Sequence, residues 1–407
     1  MPLYRKRRRM ELTAAALLAT SLFFSNLFTA LSILDPVDFL ALQSIRKSLD
    51  DMPGSNFFEA WDFTADPCGF PGVFCASDRV QALALGDPRA GSPGLMGRLD
   101  PAIGRLSALS ELSLVPGRVT GSIPDTIASL TNLRFLALSK NFLSGSVPDS
   151  IGSLSNLHTL DLSFNQLTGT IPQSIANLPS LANLVLCHNQ LSGSIPQFPE
   201  SSPLLRLDLK HNQITSQVPN LPSTLQYLSL SSNQLTGQVD SILVKLNRLN
   251  FLDLAMNQLE GPIPPSLFTY PLKSLQLQRN LFDGTLGPEN EVQIPLVDLS
   301  FNRLWGPISP LLASVSQLYL NNNRFTGEVP ARLVQELMGS GRMQVLYLQH
   351  NFLTGIEISP ASSVSLPTGA SLCLQFNCMV PPVGTPCPLK AGTQKTRPAD
   401  QCPDWRG

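Results

Sequence analysis

The chain repeats one short phrase that closes on an asparagine. Around Asn165, apolar residues stand eight, five and three positions before the asparagine and two positions after it. Ten such asparagines follow one another at intervals of 21 to 28 residues: Asn141, Asn165, Asn189, Asn212, Asn233, Asn257, Asn280, Asn302, Asn323 and Asn351. A period of this length predicts one small structural unit stacked many times.

The phrase has the alternation of a short β-strand. Leu160 and Leu162 are separated by one polar residue, and Leu252 and Leu254 repeat the pattern. A two-residue alternation places one face of the strand inward and the other outward. A single coil of about 24 residues cannot bury enough apolar surface to fold alone, so stability must come from neighbouring coils and from caps at both ends. The sequence therefore predicts an α/β repeat solenoid with one long parallel sheet.

The asparagine of each phrase must turn the chain back toward the core. A buried amide is tolerated when it is hydrogen-bonded, and an amide at the same place in every coil can bond the backbone of its own and the adjacent coil. Replacing one of them, as in Asn233→Leu, is expected to cost about 1–3 kcal/mol.

Two weaker copies of the phrase precede the ten clear ones. One copy has Leu109, Leu112 and Leu114 at the apolar positions and Gly117 at the asparagine position. The other has Val80, Leu83 and Leu85 at the apolar positions and Pro88 at the asparagine position. Degenerate copies are typical of terminal repeats. We therefore predict about twelve coils over residues 80–372. The long interval before Asn351 contains residues 331–343, which could form a short helix on the outside.

The N-terminal segment has the composition of a secretory signal. Residues 5–9 are all Arg or Lys, residues 12–34 are apolar or neutral, and Ala30-Leu31-Ser32 offers a small-x-small cleavage site. The prediction is a signal peptide over residues 1–32, with a retained membrane anchor as the alternative. No later apolar run reaches the 18 residues that a membrane span needs.

The seven cysteines fit an oxidising compartment. Cys68 and Cys75 lie just before the first coil and are expected to pair. Four more fall in a Cys- and Pro-rich tail over residues 373–407, where three connectivities are possible: Cys373, Cys378, Cys387 and Cys402. Cys187 is left over, two residues before Asn189, and is predicted to lie on the outward side of its strand.

Composition and motifs argue against several function classes. The formal net charge is −1 and the isoelectric point is about 6.4, so nucleic acid is not a predicted partner. The sequence lacks a Gly-x-Ser-x-Gly elbow, a His-Glu-x-x-His motif, a phosphate loop and a kinase signature. A row of carboxylates recurs at one position of the repeat, at Asp161, Asp208 and Asp253. A general acid and a general base need dissimilar environments, and equivalent positions of a repeat have similar ones. No enzyme activity and no cofactor are predicted.

The repeated phrase resembles the plant extracellular class of leucine-rich repeat. The marks of that class, Gly-x-Ile-Pro and its Val variant, occur six times, beginning at Gly121, Gly145, Gly169, Gly193, Gly261 and Gly327. Residues 38–46, Trp61 and the Cys68–Cys75 segment resemble the N-terminal cap of the same proteins, which we place at residues 33–79. The resemblance implies a right-handed superhelix with a concave parallel sheet, disulfide-capped ends and a second short sheet built from the Gly-x-Ile-Pro segments.

The resemblance also implies a function. It indicates a secreted or cell-surface recognition protein that binds an extracellular peptide, protein or cell-wall glycan on its concave face, with a membrane receptor kinase as a possible partner. The alternatives are an inhibitor of the polygalacturonase-inhibiting kind and a structural cell-wall protein.

Residues six, four and two positions before each asparagine are predicted to point to solvent. Five aromatic residues fall at such positions and form the predicted ligand-binding set: Phe135, Tyr227, Phe251, Tyr319 and Tyr347. Exposed rings mark binding surfaces more often than exposed polar residues do, although incidental surface aromatics are the alternative. His188 and His211 occupy equivalent positions of adjacent coils, where a metal or pH role is possible and a pair of solvated side chains is the prediction.

Overall fold

The computed structural model describes residues 34–86, 94–339, 342–357, 366–381, 387 and 396–402. The predicted signal peptide over residues 1–32 therefore lies outside the described residues. Pro88, at the asparagine position of the first predicted coil, lies outside them as well.

One sheet of 14 strands runs through the described chain and is called the long sheet below. Its strands, in spatial and chain order, are Val73–Ala76, Arg79–Leu85, Glu111–Leu114, Phe135–Ala137, Thr159–Asp161, Asn183–Val185, Arg206–Asp208, Tyr227–Ser229, Phe251–Asp253, Ser274–Gln276, Leu296–Asp298, Gln317–Tyr319, Val345–Tyr347 and Ser371–Cys373. The first two strands pair antiparallel and every later pair is parallel. Equivalent leucines pair across the strands, as Leu160 does with Leu136 and Leu184, and their side chains are fully buried.

The asparagines form the predicted ladder behind this sheet. The amide nitrogen of Asn165 donates to the carbonyl of Leu138 in the preceding coil at 3.0 Å and to that of Leu162 in its own coil at 3.1 Å. Its amide oxygen accepts from the Leu143 backbone at 3.0 Å. The same pattern recurs along the chain, which confirms the ladder. It also extends to Asn377, which accepts from the Leu353 backbone and was not in the predicted set.

A tight turn precedes each rung. The residue just before the asparagine has a positive φ in eleven consecutive coils: Lys140, Phe164, His188, His211, Ser232, Met256, Arg279, Phe301, Asn322, His350 and Phe376. This left-handed conformation is uncommon for residues other than glycine. It reverses the chain direction and drives each amide inward.

The second short sheet that the family resemblance implies is present as three separate sheets. Their strands are Leu49–Asp51, Leu95–Arg98, Gly117–Gly121, Phe142–Ser146, Gln166–Thr170, Gln190–Gly193 and Gln213–Ile214; then Thr236–Gln238, Gln258–Pro262 and Leu281–Asp283; then Trp305–Gly306, Arg324–Val329 and Phe352–Ile356. Where a Gly-x-Ile-Pro segment or its Val variant is present, the strand ends before the final proline of that segment, because proline has no N–H to donate to a ladder. The first break falls at Ser216, which has a φ of 72° where neighbouring coils have glycine.

Helical segments connect the two kinds of strand. The longest is Pro36–Ser48, capped by the Asp35 side chain, and Ala331–Met338 confirms the short helix expected within residues 331–343. The others are short turns: Phe57–Ala60, Pro67–Gly69, Pro101–Arg105, Asp125–Ser129, Asp149–Ser153, Gln173–Ala176, Asp240–Leu243, Pro265–Thr269, Pro310–Leu312 and Ala399–Gln401. In the part of the chain that the structure describes, none of these helices is long and apolar enough to pass through a bilayer.

Disulfides close both ends of the stack. Cys68 bonds Cys75 at the N-terminal end, where Trp61 packs against Phe58 and Phe70. At the other end the structure joins Cys373 to Cys387 and Cys378 to Cys402, which is one of the three possible connectivities. The Arg397 guanidinium lies over the rings of Phe352 and Phe376, at 4.0 and 5.1 Å from their centroids.

The predicted boundaries between cap, repeats and tail stay predictions. Strand Ser371–Cys373 crosses the boundary placed at residue 372, since Leu372 and Leu374 supply the inward positions of a further coil.

Candidate functional site

The solvent face of the long sheet carries two columns of side chains. Because the register pairs equivalent residues of adjacent coils, each position of the phrase forms a straight column. The first column lies six residues before each asparagine: Phe135, Thr159, Asn183, Arg206, Tyr227, Phe251, Ser274, Leu296, Gln317 and Val345. The second column lies four residues before it: Ala137, Asp161, Val185, Asp208, Ser229, Asp253, Gln276, Asp298, Tyr319 and Tyr347.

The third predicted column, two residues before each asparagine, does not face solvent. Ser163, Cys187 and Ser231 are buried there, and so are most of their equivalents. The hydroxyls of Ser163, Ser231 and Ser300 each donate to a carboxylate of the second column at 2.6 Å, so these positions do lie on the outward side of the sheet. Only the prediction that they reach solvent was wrong. Most strands are three residues long, so this position lies just beyond the strand end.

Three side chains of the first column stack on one another near the middle of the sheet. The rings of Tyr227 and Phe251 are almost parallel, 5° apart, with centroids 4.5 Å apart. The Arg206 guanidinium carbon lies 4.1 Å from the centroid of the Tyr227 ring. Since Tyr227 pairs with Arg206 on one side and with Phe251 on the other, the stack follows the column over three strands.

A buried carboxylate anchors this stack. The Asp208 side chain is 2% exposed and binds the Arg206 guanidinium at 3.0 Å. The Tyr227 hydroxyl donates to the same carboxylate at 3.4 Å. Burial, and next the negative charge of Asp208, raise the pKa of Tyr227 to about 12. Tyr227 therefore stays neutral at any physiological pH. The predicted set lacked Arg206 and Asp208, although both precede Tyr227 at outward positions of the adjacent coil.

The remaining predicted aromatic residues lie elsewhere on the sheet. Tyr319 and Tyr347 meet edge to face in the second column, with centroids 5.1 Å apart. Phe135 lies three strands before Arg206 and is 38% exposed. The structure thus brings four of the five predicted residues together as two separate pairs. Their role in ligand binding stays a prediction.

The two histidines are neighbours, as their spacing predicted. His188 stacks between Phe164 and His211, with centroid separations of 4.1 and 4.3 Å. Burial, and next the charge of His211, lower the pKa of His188. The described residues contain no group of three or more potential metal ligands. A stack of three rings on the turn accounts for the arrangement.

The thiol of Cys187 is expected to be almost inert in the folded protein. Burial, and next the charge of Asp208, raise its pKa to about 12. Because the thiolate is the nucleophile, alkylation by iodoacetamide at pH 8 should be about a thousandfold slower than that of an exposed cysteine. Mass spectrometry over time, in buffer and in urea, measures both rates. Equal rates in the two conditions would contradict the buried placement.

Family models match several parts of the chain. The model described as leucine rich repeat matches residues 107–167 and 131–191, and a second leucine-rich-repeat model matches residues 224–246 and 248–269. The model of the leucine rich repeat N-terminal domain matches residues 35–76.

Curated relatives include plant receptor-like proteins. Receptor-like protein 49 of Arabidopsis thaliana is 35% identical over 123 residues, which cover 28% of this chain and 14% of that protein. Receptor-like protein 7 of the same plant is 34% identical over 142 residues, which cover 33% of this chain and 14% of that protein. The chain therefore matches about a seventh of the length of these relatives.

Solved structures of similar fold include receptor ectodomains. PEPR1 bound to AtPEP1 is 29% identical with a TM-score of 0.65, covering 84% of this chain and 52% of that one. The plant peptide hormone receptor RGFR1 in complex with RGF2 is 30% identical with a TM-score of 0.59, covering 63% and 42%. A plant ice-binding protein is 27% identical with a TM-score of 0.56, covering 81% and 100%. Together with the 14-stranded sheet and the bonded ends, these similarities confirm the predicted right-handed repeat solenoid.

Proposed function

We propose that this chain, which is a leucine-rich-repeat protein similar to plant receptor-like proteins, recognises an extracellular peptide on the solvent face of its long sheet. The observation that carries the proposal is the Arg206–Tyr227–Phe251 stack in the middle of that face. The similarity to a peptide hormone receptor supports a peptide as the ligand.

The stack has the properties of a binding hot spot. Tyrosine and arginine dominate the energetics of protein interfaces, and they do so where their side chains are already well packed. Here Asp208 and the neighbouring rings hold Arg206 and Tyr227 in place before any ligand arrives. A ligand therefore loses little free energy to the ordering of these side chains.

The disulfides support an extracellular site of action. Three disulfide bonds persist in oxidising compartments and are rare in the cytosol. The predicted signal segment agrees with this location. Assignment to the cell wall, and partnership with a membrane receptor kinase, stay predictions.

The proposal is tested by affinity capture of peptides from plant cell-wall extracts. The double variant Tyr227→Ala/Phe251→Ala is expected to lower the affinity for the captured peptide by about 30-fold or more, since a hot-spot truncation costs about 2 kcal/mol or more. Trp305→Ala is the matched control, because Trp305 is an aromatic residue, 53% exposed, in a strand outside the long sheet. Equal loss of affinity in the control variant and the double variant would contradict the proposal.

Two other functions have their own assays. Inhibition of a fungal polygalacturonase would favour the inhibitor alternative, which stays a prediction. Inhibition of ice recrystallisation would show that the similarity to the plant ice-binding protein includes function as well as fold.

A further inference from the structure

The stack of the first column stops at Ser274. Phe251 is covered by Tyr227 on one side, while its other side faces the strand Ser274–Gln276. The Ser274 side chain is too short to cover a ring. In the described part of the chain, no aromatic ring or guanidinium contacts that second face of Phe251.

Beyond Ser274 the column continues with Leu296. Adjacent strands lie about 4.7–4.9 Å apart, so Phe251 and Leu296 stand roughly 9–10 Å apart on either side of Ser274. A planar group in van der Waals contact with both walls needs about 7–8 Å. The space bounded by Phe251, Ser274 and Leu296, called the Ser274 slot below, therefore admits one planar group and no more.

The second column supplies free acceptors beside the slot. Gln276 donates its amide nitrogen to the Ser274 hydroxyl at 2.9 Å, which leaves its amide oxygen without a partner among the described residues. One carboxylate oxygen of Asp298 accepts from the backbone and hydroxyl of Ser300, at 3.0 and 2.6 Å. Its other oxygen accepts no hydrogen bond from any described residue.

Asp298 also lacks a paired cation. Burial, its largest influence, raises the pKa of Asp298. The Arg279 charge acts in the opposite direction, but its guanidinium lies over the Phe301 ring, 4.5 Å from the centroid. No ion pair joins Asp298 to a described Lys or Arg. By contrast, both carboxylate oxygens of Asp253, on the other side of Gln276, already accept hydrogen bonds, one from the Ala255 backbone at 3.1 Å and the other from the Ser231 hydroxyl at 2.6 Å.

The chain shows at the other end of the stack what such a site can hold. There Arg206 lies over the Tyr227 ring, and its guanidinium binds the Asp208 carboxylate of the same strand at 3.0 Å. At the Ser274 slot, Phe251 offers a ring in the same way, and the carboxylate of Asp298 stands one strand beyond Ser274 without an arginine.

We propose that the Ser274 slot binds the guanidinium of an arginine side chain in the ligand, stacked on Phe251 and hydrogen-bonded to Asp298 and Gln276. This assignment rests on the proposed peptide-binding function and names a feature of the peptide. A guanidinium is planar and presents five donors, which suits a narrow slot lined by two acceptors. A neutral ring would fill the space but leave Asp298 unpaired, and an ammonium would not stack as a plane.

The test uses N-acetyl-L-arginine amide as the probe, with the lysine and citrulline amides for comparison. Saturation-transfer NMR on the whole protein gives the three dissociation constants. Citrulline keeps the planar shape and loses the charge, so its amide should bind at least tenfold more weakly, and the lysine amide should also bind more weakly. Asp298→Asn should weaken the arginine amide about tenfold, and Ser274→Phe should abolish its binding by filling the slot.

Thr159→Phe is the matched control, because it places the same ring in the same column four strands before Phe251. Binding should be unchanged in this variant. The assignment fails if the three amides bind alike, or if Asp298→Asn and a folded Ser274→Phe protein both bind the arginine amide as the parent does. If the arginine amide does not bind at the Ser274 slot while peptide capture still depends on Tyr227 and Phe251, the proposed peptide-binding function stands and only the slot assignment is lost. If the arginine amide binds in the slot but no peptide is captured, the slot binds a guanidinium and the proposed peptide-binding function fails.

Discussion

Asn233→Leu is expected to lower the free energy of unfolding by about 1–3 kcal/mol, the range that one unsatisfied buried group costs. The amide oxygen of Asn233 accepts from the Ile214 backbone at 3.0 Å, and its nitrogen donates to the carbonyls of Leu209 and Leu230, both at 3.0 Å. Leucine has a similar volume but makes none of these bonds. The loss therefore leaves the Ile214 N–H without a partner. The carbonyls of Leu209 and Leu230 each lose one of two donors and keep the amides of Asn212 and Asn257.

Asn247→Leu is the matched control. Asn247 is exposed and lies in the next coil, so the same chemical change should cost less than about 0.5 kcal/mol. Urea denaturation followed by circular dichroism measures both variants. If the two variants lose the same small amount of stability, the ladder does not hold adjacent coils together.

The double variant Cys378→Ser/Cys402→Ser is expected to lose about 2–4 kcal/mol of stability, confined to the C-terminal end. The bond joins residues 24 positions apart, and a closed loop of that size contributes about 3 kcal/mol by restricting the unfolded chain. In a repeat protein each coil contacts only its neighbours, so loss of a cap exposes the last coil first. Strand Ser371–Cys373 and the Asn377 rung are the groups that should open.

Hydrogen exchange measures where the stability is lost. Backbone amides near Leu372 and Leu374 should exchange faster, while those of strand Thr159–Asp161 should not change. Cys68→Ser/Cys75→Ser serves as the reciprocal control, since it removes the bond at the opposite end. Uniformly faster exchange along the whole chain would contradict the view that each cap acts locally.

The repeat pattern was sufficient to predict the fold because one rule is applied in every coil. Inward leucines and the asparagine both depend on local spacing, and their contacts are with equivalent residues one coil away. Asn377 was missed because Cys373 and Cys378 on either side of it were assigned to the tail, although Leu372 and Leu374 keep the spacing of five and three positions before the asparagine. Its burial and hydrogen bonds show that the rule still applies there.

The candidate site was harder to predict. The strand alternation placed Tyr227 and Phe251 outward, but side-chain stacking depends on which rotamers the neighbouring strands allow. The pattern gave no measure of how closely neighbouring side chains pack on the outward side, so the burial of Cys187 was not predicted. The open position above Ser274 is a property of three adjacent strands, and no single phrase of the sequence contains it.

The most direct test of the account is site-specific photo-crosslinking of the captured wall peptide. A benzoylphenylalanine at Asn183 lies beside Arg206 in the first column, whereas one at Trp305 lies in a strand outside the long sheet. The account predicts a covalent peptide adduct from position 183 and none from position 305. An adduct from position 305 alone would contradict recognition on the long sheet.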